Sequence, residues 1–536
     1  VDGDPEGAVR VAFDRSYAAL DPAARRLFRL LGLVPATDVT APAAAALAGA
    51  AEREAGRLLD RLAAAHLLEP VAGARYTSHD LLASYAAERA QAEADPAERD
   101  QAVRRWFDWY VDRAGAAART LNPEMLRLPA GGPQASFGDH QAALAWLDAE
   151  RPNLVAAVRH ATAHGPAEPA WLLADAFRGY FWLRVYALDW LAVAGAGLAA
   201  AAAAGDLLGQ AAAQLSLGDV HGRQGRYDAA DDHYGRSVAL SRLTGWTDGE
   251  SAALGSLGNV HWWAGAPLAA AGHYARALAL AERTGRVGGQ AANLSNLGVV
   301  YADLGQLARS ADHHQRALVL DRQLGSILGE AVDLSNLGQL ELEMGRLDHA
   351  FTLLDQALAR HREVGDRDGE ADTTRVLAEA HRCAGHLDRA RELARQAVAL
   401  TRDTGGVRYE VDARNALGRC ELSLGRVAQA VAQHERVLAM VSGGRNRYAE
   451  AEALTGLAAA HPEPEQAGRY AGRAVELARR AGYRLVAGHA LRALGDAHQR
   501  AGDPDAARAA WREALAVLTD CGSAAAAELR TQLVGR

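Results

Sequence analysis

Lysine is missing from all 536 residues, so every one of the 58 Lys/Arg positions is arginine. This excludes a phosphate loop of the Gly-Lys-Ser/Thr type, whose lysine reaches the terminal phosphates. It also excludes Schiff-base chemistry and any other catalytic lysine. Cysteine is nearly missing: Cys383, Cys420 and Cys521 stand far apart, and no C-x-x-C pair occurs. No disulfide framework follows, and a reducing cytoplasm is the expected compartment. Aromatic residues make up only 6% of the chain, and alanine dominates many windows. With few β-branched runs, that mixture favours helices. Positive charge is not in excess either. The formal net charge is −8, so no basic field draws the chain to nucleic acid. No long apolar run is present. The nearest approach, Leu191 to Gly205, is short and Ala/Gly-rich and reads as a packed helix, so no membrane partner is expected. Nor is there a G-x-S-x-G, H-E-x-x-H or Cys-His pairing. "GAGLAA", Gly195 to Ala200, imitates a dinucleotide loop, but no strand precedes it. Neither a catalytic residue nor a bound cofactor is expected in this chain. It opens Val-Asp-Gly-Asp, without Met and without a leader pattern, and reads as a piece of something longer.

What is present is a repeat. Leu-Gly recurs at Leu217-Gly218, Leu257-Gly258, Leu297-Gly298, Leu337-Gly338 and Leu417-Gly418, a step of 40 residues. Leu377-Ala378 and Leu457-Ala458 keep the step, and Leu494-Gly495 closes the series. A second glycine column follows at Gly225, Gly265, Gly305, Gly345, Gly385 and Gly425. A third runs through Gly205, Gly245, Gly285, Gly325, Gly365 and Gly405. In one unit, Leu294, Leu297, Val300 and Tyr301 share a helical face, and Gly298 admits a close neighbour. Gly305 turns the chain into a second helix, which Gly325 caps. One helix pair cannot bury both faces, so neighbours must stack. The pattern resembles the tetratricopeptide repeat (TPR), with eight units from Leu207 to about Gly522 and a ninth, degenerate one over 167–205. The resemblance implies an all-α fold, an α-α superhelix whose concave wall is built by the first helix of each pair. The extra length over the usual repeat is expected in the second helix and the loop after it.

The front end reads differently. Asp21-Pro22 is an N-cap followed by a proline at the first helical position, and Pro35 stops that helix. Two more helical stretches follow, then two short strands around Ala72-Gly73, then a closing helix from "HDLL". Helices, a wing and a helix make a winged-helix pattern. The candidate recognition helix carries Glu52, Glu54 and Asp60 against Arg53, Arg57 and Arg61, a near cancellation that argues against DNA contact.

"SYAALDPAARRLFRLLGLVP", "RYTSHDLLASYAAERA" and "AALAWLDAERPNLVAAVRHA" resemble AfsR/SARP-like actinobacterial transcriptional regulators of the NB-ARC (STAND) class. That resemblance divides the chain into a winged helix (1–95), a helical spacer (96–165), the TPR superhelix (166–522) and a C-terminal tail (523–536). It places Ser78-His79-Asp80 on the family's Met-His-Asp motif, with serine for methionine. The implied role for His79 is an imidazole N–H donated to ADP, only when the ATPase core of the parent is present. ADP or ATP would thus belong to the parent and its upstream NB-ARC core. The residue-level alternative is that His79 and Asp80 only end the wing, with Asp80 as N-cap.

The partner expected in the groove is a protein or peptide, with a small molecule left open and oligomerisation on activation allowed. Groove candidates on the first helices are Asn259, Trp262, Asn296, Asn336, Gln339, Arg375, Asn415 and Arg419, with Ser216 and Asp219 on the same wall. An asparagine ladder suits a peptide backbone because each amide both donates and accepts. The histidine columns His221/His261/His381 and His233/His273/His313 are not read as metal sites, since stacked repeats stand ~10 Å apart. A stand-alone TPR scaffold without nucleotide switching is the alternative function, and direct DNA binding by residues 7–94 is the third.

Overall fold

The computed structural model describes residues 5–129, 135–184, 186–404, 407–441 and 446–534, with side chains from Arg10 onward. The fold is all-α apart from three short strands among the described residues. Two compact units are present, Val1–Gly249 and Glu250–Arg536.

The first unit begins with the helix-and-wing module. Asp21 caps the helix Pro22–Leu31, accepting from the amides of Ala23 and Ala24 at 3.0 Å each. That helix stops before Pro35 is reached. A Cβ on Gly32 would lie 2.3 Å from the Ala87 nitrogen, so the glycine lets the closing helix Asp80–Glu93 cross here. The wing strands are Glu69–Val71 and Arg75–Thr77, joined through Gly73 and Ala74, both at positive φ. A third strand, Val39–Thr40, pairs antiparallel with Arg75–Thr77 and was not legible, because two residues carry no periodicity.

A buried polar tie fastens this wing to the helix His140–His164. Arg75 donates from Nη1 to Glu150 at 2.7 Å and from Nη2 to Asp38 at 2.6 Å. Tyr110 donates to the other Glu150 oxygen at 2.8 Å. Asn153 donates to Asp38 at 2.8 Å and accepts from the Thr37 amide and hydroxyl. The apolar core is equally continuous. It runs from Tyr17 to Val220, so the stretches 1–95 and 96–165 share one core with the helix pair Glu168–Arg184 and Ala187–Ala204. Phe177 and Phe181, read as a degenerate repeat, are fully buried in it.

The repeats behave as helix pairs in both units. Val287–Asp303 and Leu307–Leu324 are typical, at 17 and 18 residues, with only Gly325-Ser326 before the next helix. The expected longer loop is therefore absent here, because the extra residues continue the helices. Gly325 takes φ 68° and caps the second helix as read. Gly405 of the same column lies outside the described residues. The stretch expected as a tail forms the helix Ala525–Val534, which buries Leu529.

The Leu-Gly glycine has a specific partner sixteen positions on. A Cβ would fall 2.5 Å from Tyr234 at Gly218, 2.4 Å from Tyr274 at Gly258 and 2.4 Å from His314 at Gly298. The same holds for Gly338 and Leu354, Gly418 and His434, and Gly495 and Trp511. Where alanine replaces that glycine, at Ala378 and Ala458, the partner is Ala394 or Ala474. One volume is thus shared between two positions, and close packing leaves no slack. Gly258→Ala is expected to cost about 1–2 kcal/mol, as overpacking does. A chemical melt compared with Gly272→Ala, at an exposed glycine of the next helix where an added Cβ meets nothing within 4 Å, separates overpacking from helix propensity.

Candidate functional site

The inner face of the second unit is built from the first helix of successive pairs, and it carries charge. The carboxylates follow the repeat step: Asp303 then Glu343, and Asp372 then Asp412 then Glu452. Glu379 and Arg419 form a third such rung. Arg419 bridges Glu379 at 3.3 Å and Glu452 at 3.4 Å. Arg382 donates to Glu379 at 2.7 Å. Burial raises the Glu379 carboxyl, but the guanidiniums of Arg419 and Arg382 outweigh it and hold the group at about 2. The other acids fare differently. Burial lifts Asp303, Glu343 and Asp412 to about 7, helped by neighbouring carboxylates. For Asp303 these are Asp412 and Glu452, against the Trp262 N–H and Arg408. For Glu343 they are Glu379 and Glu452, against Arg419 and Arg382. Asp412 faces Glu452 and Asp372, against Arg375 and Arg408. His489, near Glu343 at 4.0 Å, is pushed down to about 4 by burial and then by Arg492 and Arg419.

The expected groove residues fall into three groups. Asn296 and Asn336 are half-buried on this face, and their amides have no hydrogen-bond partner among the described residues. Asn259, Trp262, Gln339, Arg375 and Arg419 lie there too but are engaged within the chain. Asn259 accepts from the Tyr274 hydroxyl at 2.7 Å, and Gln339 accepts from Arg375 at 3.1 Å. Trp262 donates its indole N–H to Asp303 at 2.6 Å, and the Arg408 guanidinium stacks 4.2 Å above its ring. Trp262 is therefore a packed member of the face rather than a free anchor.

Asn415 is a correction. It is completely buried, donating to the Ala449 carbonyl at 3.1 Å and facing His434 Nδ1 at 3.1 Å. It stands two residues before its repeat leucine, whereas Asn296 and Asn336 stand one before, a turn of about 100° around the helix. In the first unit, Ser216 and Asp219 are also buried, holding Trp190 and Tyr234 through their side chains at 2.8 Å each. Asp303, Glu343, Asp372, Asp412 and Glu452 of the inner face were missed, although their forty-residue ladders were present in the columns beside the asparagines.

His79 sits at the N-cap of Asp80–Glu93 without a capping bond, and Asp80 is the first helical residue rather than the cap. The imidazole is 77% exposed, with Glu69 at 3.5 Å as its neighbour. In the first unit the two histidine columns meet as a stacked pair, His221 and His233, with ring centroids 5.1 Å apart. In the second, His261 and His273 stack at 4.9 Å, and Tyr301 meets His313 at 5.0 Å. These pairs pack the two helices of one repeat against each other. Among the described residues no group of three or more His, Cys, Asp and Glu has metal-ligand geometry. Among the described residues one helix, Ala187–Ala204, is long and apolar enough to cross a membrane, but it buries Trp190, Val193 and Ala200 in the first unit's core.

Comparison with known proteins agrees with this geometry. The sequence pattern of the tetratricopeptide repeat matches residues 249–323 and 331–403. Regulatory protein AfsR of Streptomyces griseus is 34% identical over 242 residues, which cover 44% of this chain and 25% of that protein. AfsR of Streptomyces coelicolor is 36% identical over 160 residues, 28% of this chain and 16% of its own. The chain thus matches a quarter or less of the length of these relatives. A Signal Transduction ATPase with Numerous Domains (STAND) protein with a tetratricopeptide repeat sensor, from Pyrococcus horikoshii, shares the fold. It aligns with a TM-score of 0.53 at 13% identity, over 99% of this chain and 68% of that one. The chain carries tetratricopeptide repeats and is similar to part of the AfsR regulators.

Proposed function

We propose that this chain is the sensing part of an AfsR-like STAND regulator, and that the inner face of the second unit takes a protein or peptide partner. One observation carries the reading. Asn296 and Asn336, one repeat apart on that face, keep both ends of their amides free while their neighbours are engaged. An extended main chain supplies the alternating donors and acceptors such a pair can meet. A partner binding one arrangement of the repeats more tightly than another would shift the balance between them. The front module would pass that shift to a nucleotide-binding core in the parent protein. The exposed His79 would contact ADP only in the presence of that core, and the chain itself would act in the cytoplasm without catalysing a reaction. Similarity to AfsR and the sensor named in the Pyrococcus protein support this over a free-standing scaffold.

The test is selection of a displayed random peptide library on the full chain and on Asn296→Ala/Asn336→Ala. The full chain is expected to enrich a family of peptides that the double variant does not hold. Equal enrichment on both would remove the asparagine pair from the site.

A further inference from the structure

One histidine pair in the second unit differs from the rest. His381 lies in the last turn of the helix Arg367–Cys383, and His386 stands just before the helix Leu387–Thr404. Their Nδ1 atoms face each other at 3.3 Å, with the ring planes 51° apart. The pairs His221/His233 and His261/His273 stack instead at 3° and 9°, so their lone pairs run parallel and do not converge. The turn between His381 and His386 is fixed. Gly385 takes φ 81°, and the His386 amide donates to the His381 carbonyl at 2.9 Å. Phe351 packs on the His381 ring, with centroids 4.9 Å apart. At the place of His386 the other repeats carry Arg226, Ala266, Gln306, Arg346 and Arg426. The pair therefore belongs to one repeat and is no requirement of the fold.

We propose that His381 and His386 form a chelating pair for a divalent transition-metal ion of the zinc class. A tetrahedral zinc holds imidazole nitrogens at ~2.0–2.1 Å, which sets two of them about 3.3–3.4 Å apart, the spacing found here. Two neutral imidazoles do not aim lone pairs at each other across an empty gap, so a proton or a metal ion lies between them. Burial, then His386 and Arg389, lowers the His381 pKa below its usual value, which keeps the ring in the neutral form that binds metal. Imidazole suits zinc, copper and nickel. Both rings border an open cleft of about 370 Å³, and the Asp355 carboxylate stands on its wall. Water would fill the remaining positions on the ion, with that carboxylate as a nearby negative charge. The arginines of the same wall are engaged elsewhere: Arg362 donates to Glu370 at 2.8 Å and Arg389 to Glu392 at 2.6 Å. The end of one helix and the start of the next bring opposite partial charges, which offset each other. With two protein nitrogens rather than three or four, the ion is expected to exchange freely and not to be a condition of folding. Bound, it would pin the two helices of this repeat at their joining turn. None of these side chains belongs to the inner face, so the metal site stands independently of the partner proposed there.

Isothermal titration of the full chain with zinc chloride at neutral pH is expected to show saturable binding. His386→Ala should weaken it by at least about tenfold, the loss that even an outer-shell partner's removal brings, and His381→Ala should do the same. His386 is exposed, so its alanine variant is expected to keep the fold, which far-UV circular dichroism checks. The unmutated chain gives a second readout. Diethyl pyrocarbonate modifies free imidazole nitrogens, and mass spectrometry assigns the sites. Zinc should protect His381 and His386 while His79, 77% exposed and far from any other imidazole in sequence, keeps its rate. A native chain without saturable zinc binding would overturn the proposal, leaving a hydrogen bond between two rings. Equal binding by His386→Ala would overturn it as well, since the ion would then sit elsewhere. So would protection of another pair in place of this one, such as His160 and His164, whose rings lie 4.7 Å apart.

Discussion

Arg75→Ala is expected to lower the unfolding free energy of the first unit by about 3–5 kcal/mol, the range for breaking a buried ion pair from one side. Glu150 is only 2% exposed and Arg75 14%, so the carboxylate left behind cannot be rescued by water. The loss has a second part. Arg75 also holds Asp38, which orients Asn153, which in turn holds Thr37 at the foot of the wing. Removing one guanidinium therefore leaves two carboxylates side by side in a largely dry site. Arg75→Met combined with Glu150→Gln and Asp38→Asn should recover most of the stability, since neither former partner of Arg75 is then charged. Urea unfolding followed by tryptophan fluorescence measures both, as Trp106 and Trp190 are fully buried in this unit's core. A loss below about 1 kcal/mol for Arg75→Ala, the value of an exposed pair, would show that the tie is solvated.

The second unit is expected to lose about 1–2 kcal/mol of stability between pH 6.5 and 8, by linkage to its half-buried inner-face carboxyls, whose partial exposure to water moderates the effect. Asp303, Glu343 and Asp412 sit at about 7 in the folded state. An unfolded carboxyl titrates near 4, so the folded state binds these protons more tightly. The stabilising contribution is complete below the unfolded value and is lost as pH rises through 7. Asp321, raised to about 7 by burial and then by Asp333, adds in the same direction. Groups that act oppositely titrate elsewhere. His434 and His489, depressed to about 3 and 4, contribute fully above their unfolded value near 6.5 and lose stability only below it. Glu379, held at about 2, loses its contribution as pH falls from the unfolded value near 4 through about 2, far below this window. Thermal melts across this window should show the second unit's transition falling. The triple variant Asp303→Asn/Glu343→Gln/Asp412→Asn should flatten the slope and raise the midpoint at pH 8. A slope unchanged in the triple variant would place the protons elsewhere.

Much of the architecture was legible because it repeats. A forty-residue step in Leu-Gly defines helix pairs without any knowledge of their packing, and Asp21-Pro22 marks a helix start from local chemistry alone. Local signals failed where the decisive contact was remote. Pro35 looked like the stop of Pro22–Leu31, yet Gly32 had already turned the chain against Ala87. Val39–Thr40 is a strand only because Arg75–Thr77 lies beside it. Asn415 looked like an exposed groove residue, and its place two residues before the repeat leucine put it in the core.

By itself, the sequence determined the repeat, its helical phase and the reciprocal sizes at paired positions such as Gly258 with Tyr274 and Ala378 with Ala394. Those follow from periodicity and volume, which are properties of neighbouring repeats. Only the tertiary structure decided that the second unit winds tightly enough to meet itself. The cause is a small rotation per repeat, summed over several repeats, and no single repeat records the sum. That sum brings Gly305 to Cys521 and Arg408 to Trp262. It also turns a row of ordinary surface acids into carboxyls that hold their protons to about pH 7.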